Sequence, residues 1–254
     1  MAEMQSVARL ISDHLLEDGR YIGLAISLYT GLRPNECRAL KWEDKKLIPG
    51  EWAYSYFEVH HVLEPNNKEK DHPKTSNGFR NVPIHVELAA LLSRWERHVQ
   101  KMSTLPFKIE QGLPPSREKT SGYICCKGDQ YGQPCSYPDF ADFAQEKLFA
   151  ELNPALETAC KAEMKLAELE KSPVYERSEN LTLYVLRRNF WTWMQYGTSC
   201  TKLDKLYVMG HEMTRDRKNL RPHYATPDSL LRIANWYLFS PQPRRAKNCA
   251  KGRR

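Results

Sequence analysis

Between Leu183 and Tyr224 the chain places side chains that suit chemistry on a phosphate ester. Tyr184 and Arg187 stand three residues apart, which projects both from one face of a helix. Met209-Gly210-His211 then presents an imidazole, and a strongly basic stretch containing Arg215, Arg217 and Lys218 leads to Tyr224. Guanidinium groups match the geometry of phosphate oxygens, an imidazole donates or accepts protons near neutrality, and a phenol is a potential nucleophile. Upstream, Arg33 and Lys74 add two further cations.

These residues need a scaffold, and the hydrophobic pattern predicts one that is mainly helical. Leu186, Phe190, Trp193 and Met194 recur at helical spacing on a core face, while Tyr184, Arg187 and Trp191 form a second stripe. Val7 to Leu16 and Tyr21 to Tyr29 read as paired core helices. Gly31 breaks the second, and Pro34 suits the first turn of a new helix, where its missing N–H costs nothing. Arg33 therefore sits beside a helix N-terminus, an anion-favouring position.

Trp52 to Leu63 and Phe79 to Ile84 read as strands, with Ser76-Asn77-Gly78 closing a hairpin. Lys74 lies just before that turn, with Lys68 and Lys70 as rivals in the same loop. The pattern further predicts a helix over Val86 to Met102, with Leu88, Leu91, Leu92 and Trp95 inward. Pro106 to Thr120 reads as a loop, Gly122 to Lys127 as a short strand and Tyr137 to Leu152 as a helix. Leu156 to Lys171 reads as a solvated helix without chemistry, and Leu230 to Phe239 as an apolar one.

In order and spacing these boxes resemble the tyrosine recombinases, or phage-type integrases. Thr30-Gly31-Leu32-Arg33-Pro34-Asn35-Glu36 followed by Leu40-Lys41-Trp42-Glu43-Asp44 resembles the family's first arginine box. Pro73-Lys74-Thr75 with Gly78, Arg80, Val82 and Pro83 resembles its lysine hairpin. Tyr184-Val185-Leu186-Arg187, Gly210-His211 and Tyr224 resemble its second box and nucleophile. The resemblance implies an α+β, mainly α, DNA breaking-rejoining catalytic fold with a small antiparallel sheet over residues 1–240, followed by a basic tail over 241–254.

It also implies roles. Tyr224 would attack the scissile phosphate to give a 3′-phosphotyrosine, Arg33 and Arg187 would clamp the nonbridging oxygens, Lys74 would protonate the leaving 5′ oxygen and His211 would hydrogen-bond the phosphate. Tyr184 stands where the family usually has histidine. A phenol of pKa ~10 is a poor base at neutral pH but can donate a hydrogen bond. Arg80, Arg188, Arg215, Arg217 and Lys218 are expected to contact DNA. The implied partner is double-stranded DNA, with self-association in a tetrameric synapse in which the C-terminal segment can be exchanged. Family members usually carry an N-terminal DNA clamp, so the expectation is a fragment of a longer protein.

Composition agrees with a polyanionic partner. Lys and Arg number 38 against 31 Asp and Glu, a net +7 with a pI near 9.0, and each cation near a phosphate releases a condensed counterion. No run is long and apolar enough to span a membrane, and no signal peptide is evident, so the expected location is cytoplasmic. The 7 cysteines lack a C-x-x-C spacing and read as reduced thiols. His211-Glu212 fails the H-E-x-x-H pattern because Arg215 takes the last place, so the pattern implies no metal and no cofactor. Two alternatives stand beside the recombinase: a catalytically impaired DNA-binding protein of the same fold, and a strand cleaver of the type IB topoisomerase or resolvase kind.

Overall fold

The computed structural model describes residues 2–47, 55–70, 78–103, 122–150, 182–196 and 200–211, with the side chains of Ala2–Met4, Ser103 and Tyr196 excepted. Helix α2 (Gly19–Thr30) is the centre of the molecule, and every residue in it except Arg20 is buried. A helix apolar on all sides can only be stable when neighbours cover it. Here α1 (Ala2–His14), α4 (Val86–Ser103) and α6 (Leu183–Tyr196) pack on it, and α3 (Pro34–Ala39) follows it directly. Asp18 starts α2 as its N-cap, its carboxylate accepting the Arg20 N–H at 2.8 Å.

Gly31 ends α2, and here the residue type is required. Its φ of 65° is left-handed, and a Cβ would lie 2.4 Å from Cδ1 of Phe190 on α6. This close approach is what brings the α2 terminus against the helix carrying Tyr184 and Arg187. Pro34 then opens α3 with Arg33 as its N-cap residue, as the sequence pattern predicts.

A 3₁₀ turn over Trp42–Asp44 leads into a three-stranded antiparallel sheet of order β1-β2-β5, made of Lys45–Lys46, Tyr56–Val59 and Arg80–Pro83. Phe57 and Val59 are buried while Tyr56 and Glu58 are half-exposed, the alternation expected of a one-sided sheet. The sequence-predicted strand pair is present, with Val59 opposite Arg80 and Tyr56 opposite Pro83. The connection is not a single hairpin, however. A second hairpin stands between the two strands, with β3 (Val62–Leu63) pairing with β4 (Glu69–Lys70).

Its turn uses Pro65-Asn66-Asn67, where Asn67 takes φ 64° and the Glu64 N–H donates to Lys68 O at 2.9 Å. Lys70 is therefore a strand residue, paired with Glu64 at 2.5 Å, and not a loop residue. Lys74 and the Ser76-Asn77 half of the expected turn lie outside the described residues.

In α4, Leu88, Leu91, Leu92 and Trp95 are buried as expected. Gly122 to Lys127 forms no strand. Tyr123 makes isolated bridges to Lys41 and Gly132 instead. The predicted helix from Tyr137 is α5 (Tyr137–Phe143), which widens into a π-helical turn over Ala144–Phe149. The short helix α7 (Lys202–Met209) completes the described elements. Among the described residues no helix is long and apolar enough to cross a membrane. The segments expected as loop 106–120, helices 156–171 and 230–239, and the tail 241–254 lie outside the described residues.

Candidate active site

Helix α6 buries Leu186, Phe190 and Met194, with Trp193 only partly covered. Arg187 lies on its inner side as well, 7 % exposed, which for an arginine demands partners for its N–H groups. It finds them at the ends of two helices. Nη1 donates to Gly31 O at the end of α2 (2.5 Å), and Nη2 donates to Met209 O at the end of α7 (2.7 Å). Helix C-terminal carbonyls lack intrahelical partners and carry the negative end of the dipole, so one guanidinium closes both termini. Burial and then the charge of Arg33 lower its pKa to about 10, still far above neutrality.

Helix α7 presents the imidazole. Thr201 and Asp204 form a reciprocal capping box at its start, Thr201 Oγ1 accepting from the Asp204 N–H at 3.2 Å and Asp204 accepting from the Thr201 N–H at 2.9 Å. Gly210 ends it in left-handed conformation, φ 60°. His211 follows directly. Its Nε2 lies 3.3 Å from Arg187 Nη2, and its ring centre is 5.3 Å from that of Trp191, one turn beyond Arg187 on α6. Since an arginine can only donate, this contact makes Nε2 the acceptor and leaves the proton on Nδ1.

A residue that the sequence reading did not single out organises the cations. Glu36, third residue of α3, is 2 % exposed. Its carboxylate accepts from the Arg33 N–H at 2.8 Å, from Arg33 Nη1 at 3.0 Å and from Arg80 Nη2 at 2.9 Å. Burial opposes its ionisation, but Arg80 and then Arg33 outweigh this and hold its carboxyl down at about 2. The signal was present in the Pro34-Asn35-Glu36 order, where a glutamate at the third helical position commonly reaches back to the N-cap N–H. The same signal, Thr201 three residues before Asp204 with Gly210 beyond, was available for α7, a helix the sequence analysis did not predict.

Arg80, expected as a surface contact to DNA, instead has a side chain that is 0 % exposed and engaged inside the fold. Besides Glu36 it donates from Nε to Val208 O (2.8 Å) and from Nη1 to Gly78 O (3.0 Å). A Cβ on Gly210 would meet Arg80 Nη1 at 2.8 Å, so the α7 terminus is folded tightly onto it. Arg80 thus ties the sheet to α3 and α7.

The other expected site residues divide by place. Arg33 pairs with Glu36 while remaining 39 % exposed at its side chain, which leaves part of the guanidinium open to solvent. Tyr184 is 48 % exposed, one turn before Arg187, and its side chain makes no hydrogen bond among the described residues. Arg188 is exposed beside it. Lys74, Tyr224, Arg215, Arg217 and Lys218 lie outside the described residues. The fold therefore brings together Arg33, Arg187 and His211, from three separate parts of the chain, around Glu36 and Arg80.

No known family's sequence model matches the chain, and no curated protein matches it in sequence. Solved structures do match in shape. The Tn1549 transposon integrase in complex with transposon right end DNA aligns with a TM-score of 0.54 at 21% identity, over 90% of this chain and 62% of that one. The same integrase in complex with circular intermediate DNA gives 0.51 at 21%, over 90% and 63%. The chain has the tyrosine-recombinase catalytic fold. It spans somewhat under two thirds of the integrase chains it matches.

Within this tyrosine-recombinase fold the imidazole has a definite charge state. Burial, and then Arg187, Arg33 and Arg80 in turn, lower the pKa of His211 below its ordinary value, so it is neutral at pH 7. The protonated ring would lose its Arg187 contact and face three guanidinium groups. Nitrogen-15 NMR of labelled histidine should show His211 as a neutral ring protonated at Nδ1, titrating below the ~6.5 of a free histidine. A midpoint above that value would contradict the arrangement.

Proposed function

We propose that this chain is the catalytic region of a DNA strand-exchange enzyme, an integrase-type recombinase working through a 3′-phosphotyrosine. The observation that carries the reading is the meeting of Arg33, Arg187 and His211 at the joined ends of α2, α3, α6 and α7. Phosphoryl transfer needs preorganised positive charge where the phosphorane develops. Cations fixed by helix termini and a buried carboxylate supply it without reorganising.

In this reading Arg33 turns its open N–H groups to one nonbridging oxygen. Arg187 has three of its five N–H groups committed to Gly31, Met209 and His211, and the two that remain serve the other oxygen. His211 donates from Nδ1, and Tyr184, exposed at the rim, donates its phenolic O–H. The Tyr224 oxygen attacks phosphorus as its proton passes to solvent water, the bond to the 5′ oxygen breaks, and the Lys74 ammonium gives a proton to that oxygen, to be replenished from solvent. A 5′-hydroxyl of a second strand then attacks the phosphotyrosine and releases Tyr224. One phosphoester bond is exchanged for another at each step, so the balance closes without a nucleotide. Double-stranded DNA is the substrate, and synapsis of several copies brings the second strand.

A suicide DNA substrate, nicked so that the 5′-hydroxyl diffuses away, tests this. The parent protein should trap a covalent adduct, and Tyr224→Phe should abolish it while leaving DNA affinity within about twofold, because only the attacking oxygen is lost. Adducts persisting in Tyr224→Phe would assign another nucleophile. One observation favours a second reading, a DNA-binding protein impaired in catalysis: an exposed phenol stands at 184 in place of an imidazole. If the parent forms no adduct and Tyr184→His does, the second reading holds.

A further inference from the structure

Away from Arg187, on the other side of α3 in sequence, three ligating side chains converge that belong to different elements. We propose that Asp44, His60 and His61 form a binding site for a divalent transition-metal cation of the zinc class. Asp44 ends the 3₁₀ turn and is 1 % exposed. His60 and His61 fall between β2 and β3, in neither strand, so the alternation that would send neighbours to opposite faces is interrupted. Their rings lie with centroids 3.8 Å apart and planes at 79°.

The distances suit coordination. His60 Nε2 is 3.3 Å from Asp44 Oδ1 and His61 Nε2 is 3.2 Å from Asp44 Oδ2. One ligand atom from each residue can be chosen so that all lie within 4.8 Å of one another. Donor atoms bonded at ~2.0–2.1 Å to one tetrahedral ion are about 3.3 Å apart. An independent observation points the same way. Asp44 Oδ1 is buried without a hydrogen-bond partner among the described residues, a costly condition for a carboxylate oxygen. It faces His60, so a cation between them would satisfy it.

The surroundings resemble those of built metal sites. The second nitrogen of His61 faces Glu69 Oε1 at 3.5 Å, the carboxylate–histidine arrangement that orients a ligating imidazole. Glu69 is itself held by Lys41 Nζ at 3.0 Å and by Tyr123 O–H at 2.6 Å. His60 is 39 % exposed at its side chain, which gives an ion a way in and leaves a coordination position to water. Two imidazoles and one carboxylate select borderline ions such as Zn²⁺ or Co²⁺ over Mg²⁺ or Ca²⁺. A metal here would clasp the turn after α3 to the start of the β3–β4 hairpin. This site is independent of the catalytic reading.

The test uses the full chain without a histidine tag, stripped with chelator and kept reduced, titrated with Co²⁺ and with Zn²⁺. One equivalent of Co²⁺ should give the ligand-field absorption of a low-coordinate nitrogen and oxygen site. Zn²⁺ should bind one to one in calorimetry and raise the unfolding temperature. His60→Ala, and independently His60→Gln, should weaken binding at least tenfold and remove that rise, with metal-free unfolding temperatures unchanged because His60 is part-exposed. Absence of one-to-one binding by the parent overturns the proposal. So does binding that both His60 variants retain, or Co²⁺ spectra with sulfur charge-transfer bands, which would assign the ion to cysteines.

Discussion

Glu36→Gln is expected to lower the stability of the folded chain by about 3–5 kcal/mol, the cost of leaving a buried charge without its partner. Arg80 has no access to water, and glutamine cannot neutralise it. Arg33 and Arg187 would add to the repulsion, since Glu36 is the carboxylate these three cations share. Urea unfolding of parent and variant measures the effect. Replacing Glu36 and Arg80 together by methionine should recover most of the loss, because removing both members of a buried pair is far cheaper than removing one.

The same group sets an acid limit. The Glu36 carboxyl titrates at about 2 in the folded chain, against ~4.3 for a free glutamate. The unfolded chain therefore takes up the proton first. The stabilisation is complete above about pH 4.5 and is lost as the pH falls from there towards 2. Parent stability should decline across that window, and Glu36→Gln should lack this part of the decline. A variant within 1 kcal/mol of the parent at pH 7 would show that the hub does not hold the site together.

Arg187→Lys is expected to cut cleavage of a suicide substrate by on the order of 10²–10³, the usual effect of losing one preorganised donor to the transition state. It should also cost about 1.5–3 kcal/mol of stability, the worth of one charged hydrogen bond. Both effects have one cause. Arg187 spans Gly31 O, Met209 O and His211 at once with a planar fork, whereas an ammonium on a flexible stem reaches fewer of them and reverses none of the misplacement. Cleavage is to be measured at a temperature where the variant is fully folded, with DNA affinity alongside. Lower stability with unchanged cleavage would leave Arg187 a structural clasp and remove it from the phosphate.

Much of this was legible because it is local. The 3.6-residue spacing of Leu186, Phe190 and Met194 requires a helix with one face inside, and that face is buried. Gly31 and Pro34 mark a stop and a start whatever surrounds them. The order of Arg33, Arg187 and His211 likewise declared a common site through its resemblance to the recombinase boxes, and the fold draws these three together.

What the sequence left open depends on partners distant along the chain. A basic residue in a hairpin reads as a surface cation, and Arg80 became an internal tie only because α3 supplies Glu36 and α7 ends in free carbonyls beside it. The hairpin was legible only in part: the β2–β5 pair is present, but the β3–β4 hairpin turned by Pro65-Asn66-Asn67 stands between its strands, and the Ser76-Asn77 part of the expected turn lies outside the described residues. Asp44 and the His60-His61 pair gave no metal signature at all, because ligand spacing is recognisable only when the ligands share an element. Local periodicity and turn chemistry are properties of short segments and survive in the sequence. Which buried charge meets which is fixed only when the helix ends close on one another, and tertiary structure alone decides that.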